Sequence, residues 1–222
     1  MLSSLQVLDS RELLRQHILF IFERNPLSNE QVDFILDSYS EPWRHYHNCD
    51  HILKMLDILW KTAALSDEDY INSIEIMIVY HDLLLKLGRD PGWSERMSAD
   101  KAEKDLEQAG YEVGFITLVF GGVHATAHHT LGTVLPQNQN TISVFLDIDI
   151  LAGLGTSWEE FDGITKQIQR EYEPLYTAAE FRDGRAKWAK SFLDRPQIFL
   201  SPQFAQHELV ARENLQRYID EA

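Results

Sequence analysis

The stretch IEIMIVYHDLLLKLG, residues 74–88, is apolar at almost every position until His81 and Asp82 interrupt it. Ile74, Met77, Ile78, His81 and Leu85 follow the spacing of one helical face, and Asp82 falls in line with Ile71 and Ile78. The segment therefore predicts a buried helix that carries a histidine and an aspartate into the interior. A carboxylate loses its hydration on burial, and an unpaired one is very costly there. A cation, a salt bridge or a helix cap offsets that cost. Lys86, one turn on, is the basic residue within reach for a salt bridge. A bound metal ion is the other reading, and the one taken forward.

Helical spacing extends outward from this segment. Ile52, Met55, Leu56 and Leu59 form a second face, and Leu209, Leu215, Tyr218 and Ile219 a third. Ser28 with Gln31, Ser157 with Glu160 and Thr177 with Glu180 fit the capping box, in which each side chain satisfies the other's free backbone N–H. Pro202 after Ser201 suits the first helical position. Breaks fall at Pro26, Pro42, Gly88–Gly92, Gly110, Gly132–Pro136, Gly153–Gly155 and Pro196. The chain thus reads as helices at 9–24, 29–38, 47–64, 67–86, 95–109, 112–129, 139–152, 157–171 and 178–193, with a last one at 202–220. Ile142–Ile150 has β-branched content enough for a strand, but no partner strand is visible, so it is read as helix. No linker or repeat divides the 222 residues. The expectation is one all-α domain, residues 1–222.

Composition narrows the function. Apolar residues make up 44% and charged residues 25%, as in ordinary globular proteins. No apolar run reaches the roughly 18 residues of a bilayer span; the longest, Val144–Leu154, is interrupted by aspartates. MLSSLQVLDSREL has no basic region followed by an apolar core, so no secretory signal and a cytoplasmic location are expected. The one cysteine, Cys49, rules out an intrachain disulfide and cysteine-rich zinc sites, so any metal must use His, Asp and Glu. The net charge of −15, without a cluster of Lys and Arg, argues against a nucleic-acid polymer as partner. A small phosphorylated molecule stays compatible, because a bound cation reverses the local field. Oligomeric state is not legible.

Two more polar interruptions join His81 and Asp82. In YHNCDHI, residues 46–52, His47 and His51 lie four apart and would share one face of a helix. Alone, such a pair is more often packed or surface histidine. In VFLDIDILAGL, residues 144–154, Asp147 and Asp149 would stand about 200° apart on a helix, so one faces a given site while the other caps or anchors a histidine. Two histidines and two carboxylates from three separated helices form a mixed nitrogen and oxygen set. It suits Mn, Fe, Co, Ni or Mg, and Zn less typically. His124, His128 and His129 read either as a second-metal or phosphate contact or as a polar helix end. Glu95 is a candidate supporting group. Arg44, Lys86, Arg89 and Arg96 are the nearest cations for a phosphate, although surface salt bridges are their commoner use. Trp158, Tyr172 and Trp188 read as core.

The order H…HD…D resembles the HD-domain superfamily of metal-dependent phosphohydrolases. RHYHNCDHILKML, VYHDLLL, SERMSADKA, VHATAHH, FLDIDILAGLG, QREYEPL, FRDGRAKWAKSFL and HELVARENL are in that order similar to its uncharacterised branch of predicted metal-dependent phosphohydrolases, from about Trp43 to Leu215. Ser94, where asparagine is usual, and LLLKL after Asp82 depart from the pattern. The resemblance implies an HD-type helical bundle with His51, His81, Asp82 and a later aspartate as ligands. It points to Asp149 over Asp147, since leucine closely follows the superfamily's last aspartate. The YHN segment also resembles cyclic-nucleotide phosphodiesterases, whose first histidine there is the proton donor, which implies His47 as general acid. Arg185 and Arg212 fall inside matching blocks. The expected activity is metal-dependent hydrolysis of a phosphate ester or anhydride on a small molecule such as a nucleotide. The alternatives are a non-catalytic metal-bound nucleotide sensor and a di-iron oxidative enzyme, the latter kept open by the histidines at 124–129.

Overall fold

Every residue from 73 to 80 is buried, and so are nearly all from 142 to 154. Segments that are apolar all round belong at the centre of a helical protein, and these two occupy it. The computed structural model describes residues 8–62, 68–132 and 134–221, and among these it is all-helical, with no strand. The α-helices are α1 (Ser10–Ile21), α2 (Asn29–Tyr39), α3 (Cys49–Thr62), α4 (Glu68–Tyr80), α5 (Trp93–Gln108), α6 (Val113–Ala125), α7 (Gln139–Leu154), α8 (Trp158–Tyr172), α9 (Ala178–Leu193) and α10 (Glu208–Glu221). Two 3-10 turns, Pro136–Asn138 and Pro202–His207, precede α7 and α10. α7 packs against α3, α4, α6, α8 and α10, and α4 against α1, α3, α5, α6 and α7. Among the described residues no single helix is long and apolar enough to cross a membrane.

The β-branched run at 142–150 is helical, since α7 is enclosed by helices and has no strand to pair with. The capping boxes at Ser28–Gln31 and Thr177–Glu180 are complete. At Ser157 only half the box forms: Glu160 turns instead to Lys54 and to the N–H of Thr156. The expected helix at 202–220 begins as a 3-10 turn, and Leu209, read as part of its apolar face, is exposed. The N-terminal residues 1–7 and the expected helix ends within 63–67 lie outside the described residues.

Three of the boundaries that depart from the sequence reading shape the interior site. α3 begins at Cys49 rather than 47, because the Asn48 side chain accepts from the N–H groups of Asp50 and His51 and caps the helix. His47 therefore lies outside α3, and the shared helical face expected for His47 and His51 does not exist. α4 ends at Tyr80 rather than 86. Beyond it the carbonyls of Asp82 and Leu83 accept from Arg44, and the N–H groups of Leu84 and Lys86 donate to Ser98 and Ser94. α6 ends at Ala125 rather than 129, giving way to a turn that carries His129 at φ +48°.

Candidate metal centre

The turn after α4 has a direct chemical result. Neighbours on a helix point about 100° apart; unwinding lets His81 and Asp82 face the same point, with His81 Nε2 3.0 Å from Asp82 Oδ2. His51 comes from the first turn of α3, and its Nε2 stands 3.3 Å from His81 Nε2 and 3.8 Å from Asp82 Oδ2. Asp149, on α7, places Oδ1 3.8 Å from both histidine nitrogens. The ligand atoms of His51, His81 and Asp149 all lie within 4.8 Å of one another. Donors about 2.1 Å from a shared cation stand about 3.0 Å apart at right angles and about 3.4 Å apart at the tetrahedral angle. The observed separations run from 3.0 to 3.8 Å, from that range to slightly above it, so the set could hold a divalent ion. The histidine side chains are 1% exposed, and the Asp82 and Asp149 side chains 17% and 14%. The carboxylates thus form the side of the cluster that opens outward.

Asp147 is elsewhere. On the far side of α7 it accepts from the N–H groups of Leu200 and Ser201 and from the Ser201 hydroxyl. It caps the turn that leads to α10. The opposed directions of the two aspartates follow from helical geometry, and Asp149 is the one at the centre.

Charge explains how the cluster is held together. Burial alone would lower the pKa of His81, but the charges of Asp82 and Asp149 outweigh it and lift it to about 9. Burial and then the charge on His81 push His51 down to about 3, so this ring is neutral. The histidines hold both aspartates below the usual carboxylate range against the opposing effect of burial. His81 Nδ1 donates to the carbonyl of Ile78, which aims Nε2 at the cluster. His51 Nδ1 is buried without a partner, so packing rather than a hydrogen bond sets that ring. A proton on His81 Nε2 thus stands where a cation would sit. Metal binding at pH 7 is expected to release about one proton, with affinity rising up to about tenfold per pH unit until about pH 9. Calorimetric titration of chelator-treated protein with Mn²⁺ in buffers of different ionisation heats reads this directly. A heat independent of buffer would contradict the protonated His81.

Around the cluster stand two positioned histidines. His47 Nδ1 lies 2.6 Å from Glu171 Oε2, while Glu171 Oε1 accepts from the N–H groups of Tyr46 and His47. The other nitrogen, Nε2, lies 3.9 Å from Asp82 Oδ2. Burial lowers the pKa of His47, but the charge of Asp82 and the bond to Glu171 more than reverse this, leaving it raised. Glu171 was not singled out in the sequence, although the signal was there. It continues the buried face Phe161, Ile164, Ile168 of α8, an acid on an apolar stripe just as Asp82 is. His129 Nε2 lies 2.9 Å from Asp149 Oδ2. Its left-handed backbone is one that non-glycine residues adopt at a cost. Arg195, lying over the Phe192 ring, holds it by donating to the carbonyls of His128 and His129.

The other candidates divide. Glu95 lines the same cavity as Asp82, His129 and Asp149, whose volume is about 490 Å³. His124 and His128 are exposed and border a different cavity, together with Arg96, so the trio at 124–129 contributes one residue to the centre. Arg44 is a buried clamp: it donates to the carbonyls of His47, Asp82 and Leu83 and pairs with Glu41, which engages four of its five N–H groups in holding the turn. Lys86 is exposed and forms no ion pair with Asp82, whose partners are histidines. Arg89 stacks on Trp93. Tyr172 and Trp188, read as core, pack against the core and also line the cavity. The chain matches no protein-family model, no curated protein and no solved structure.

Proposed function

We propose that this chain is a metal-dependent hydrolase of a phosphate ester or anhydride on a small molecule, built on an HD-type helical bundle. One observation carries the reading: His47, backed by the buried Glu171, turns its free Nε2 toward Asp82 at the edge of the four-donor cluster. A structural metal site is closed by its ligands and has no use for such a pair. A divalent cation held by His51, His81, Asp82 and Asp149 supplies Lewis acidity, making a water more acidic and offsetting phosphoryl charge.

The chain's own residues supply the rest. His47 Nε2 holds a proton for the leaving oxygen, and Glu171 keeps the ring oriented and favours its charged form. The N–H groups of Tyr46 and His47 fix Glu171 in turn. Glu95, Asp82 and Asp149 put three carboxylates on the lining beside the centre, and a cation held there would offset them for a phosphoryl group placed at the metal. The cavity volume suits a small molecule. The sequence resemblance to HD phosphohydrolases supports the same reading. Of the three histidines that favour a di-iron oxidative enzyme, His124 and His128 are exposed and His129 alone reaches the centre, so the hydrolase reading is preferred.

Elemental analysis of protein purified without chelator, followed by a phosphomonoester, phosphodiester and nucleotide panel with Mn, Mg, Co and Ni, tests the proposal. The expected result is stoichiometric metal and turnover that a chelator abolishes and metal restores. Stoichiometric metal with tight nucleotide binding and no turnover would instead establish the sensor.

A further inference from the structure

Arg185 on α9 stands apart from the other arginines around the interior. Arg44, Arg195 and Arg212 are each spent on carbonyls or carboxylates. Arg185 lies on the same face of α9 as the buried Phe181, Ala189 and Phe192, stands 3.7 Å over the ring of Trp188, and among the described residues has no hydrogen-bond or ion-pair partner. Its Nε is sealed and unsatisfied, and so is the hydroxyl of Tyr46 beside the same cavity. Burial lowers its pKa to about 10, so it is charged at neutral pH. Stacking on Trp188 satisfies the face of a guanidinium. It leaves the N–H edge, which is built to take two oxygens of a carboxylate or phosphate in parallel. Arg185 is half-buried; a cation partly withdrawn from water without a counter-ion is costly, and among the described residues no carboxylate pairs with it.

The position of Arg185 says which ligand would supply that counter-ion. It lines the cavity of the metal centre and also a second chamber of about 440 Å³, which it shares with His47, Tyr172, Tyr176, Phe181 and Trp188. His47 and Arg185 are therefore at the junction of the two spaces. We infer that Arg185 forms an oxyanion-binding subsite next to the metal centre, taking a phosphate or carboxylate group whose apolar remainder lies among these aromatic rings. The subsite does not depend on the hydrolase reading. Where both hold, the substrate carries an anionic oxygen at Arg185 in addition to the group at the metal.

Chelator-treated protein separates the two sites. Inorganic phosphate, phenylphosphonate and benzoate are titrated by calorimetry at pH 7 into the wild type, Arg185→Met and Arg185→Lys. The expected result is binding without metal, tighter for the two aryl oxyanions than for phosphate. Arg185→Met should weaken it about tenfold or more, and Arg185→Lys less, because a point charge cannot offer the paired N–H edge. Preference for phenylphosphonate over benzoate identifies the natural group as phosphate, and the reverse as carboxylate. Phenylglyoxal labelling of the wild type, read by mass spectrometry, needs no variant: phenylphosphonate should shield Arg185 and leave the exposed Arg89 reactive. Oxyanion binding that appears only with metal, or that leaves Arg185 labelling unchanged, overturns the subsite. That outcome leaves the hydrolase reading intact, since turnover is measured separately.

Discussion

Asp82→Ala is expected to purify without metal. Asp82 Oδ2 is within 3.8 Å of both histidine nitrogens, and its charge is the first reason that His81 holds a raised pKa despite burial. Removing it takes away a donor and half the carboxylate charge of the cluster. The wild type should gain about 2.7 kcal/mol when metal exceeds its dissociation constant 100-fold. For a chain of this length that is a rise in melting temperature of about 5–10 °C. Asp82→Ala should show neither bound metal nor that rise, and Asp149→Ala should behave the same way. Asp147→Ala is the control that separates the two aspartates of α7. It should keep its metal and lose about 3 kcal/mol of stability, since two buried backbone N–H groups lose their acceptor at about 1–3 kcal/mol each. Metal content by plasma spectrometry and melting with and without Mn²⁺ decide the matter. Full metal occupancy in Asp82→Ala would refute the centre, and metal loss in Asp147→Ala would exchange the roles of the aspartates.

These side chains differ in how legible they are before the fold is known. The all-helical class was legible because the two central helices, α4 and α7, are apolar on every side and the outer ones are capped in recognisable ways. His81, Asp82 and the pair Asp147 and Asp149 are legible for the same reason: a polar side chain inside an apolar run has to be accounted for, although the run itself does not say which of the two aspartates faces the site. What stayed hidden depends on chain direction at helix ends. Helical periodicity predicts continuation, and nothing in it says that Asn48 starts α3 late or that α4 stops at Tyr80. Arg44 looked like a free cation because its partners are backbone carbonyls, which leave no mark in side-chain patterns. His129 was one of three equal histidines until the turn after α6 separated it from the others. Arg185 and Glu171 lie more than 80 residues from His81 in sequence, and only the packing of α8 and α9 against the first half of the chain brings them to His47.

His47→Ala is expected to keep the metal and lose turnover. The residue stands in the turn before α3, its Nδ1 held by Glu171, and it is not one of the group His51, His81 and Asp149 whose ligand atoms lie within 4.8 Å of one another. Metal content should therefore match the wild type. General acid catalysis contributes roughly 100- to 10,000-fold, and the loss should fall in that range for an alkyl phosphate, whose alkoxide leaves poorly without a proton. A nitrophenyl phosphate needs little protonation, so the same variant should lose far less on it. Glu171→Gln keeps a similar shape but removes the charge that favours protonated His47. Its deficit should be smaller than that of His47→Ala and should grow as pH rises, because a less basic His47 gives up its proton earlier. The measurement is turnover of each variant on the paired esters at equal metal occupancy, across pH 6 to about 9, a window that spans the ordinary histidine range. An equal loss on both esters would mean that His47 only packs beside the centre. Loss of metal from His47→Ala would make it a ligand and would move the search for the acid to His129, the other histidine that touches the cluster through a carboxylate.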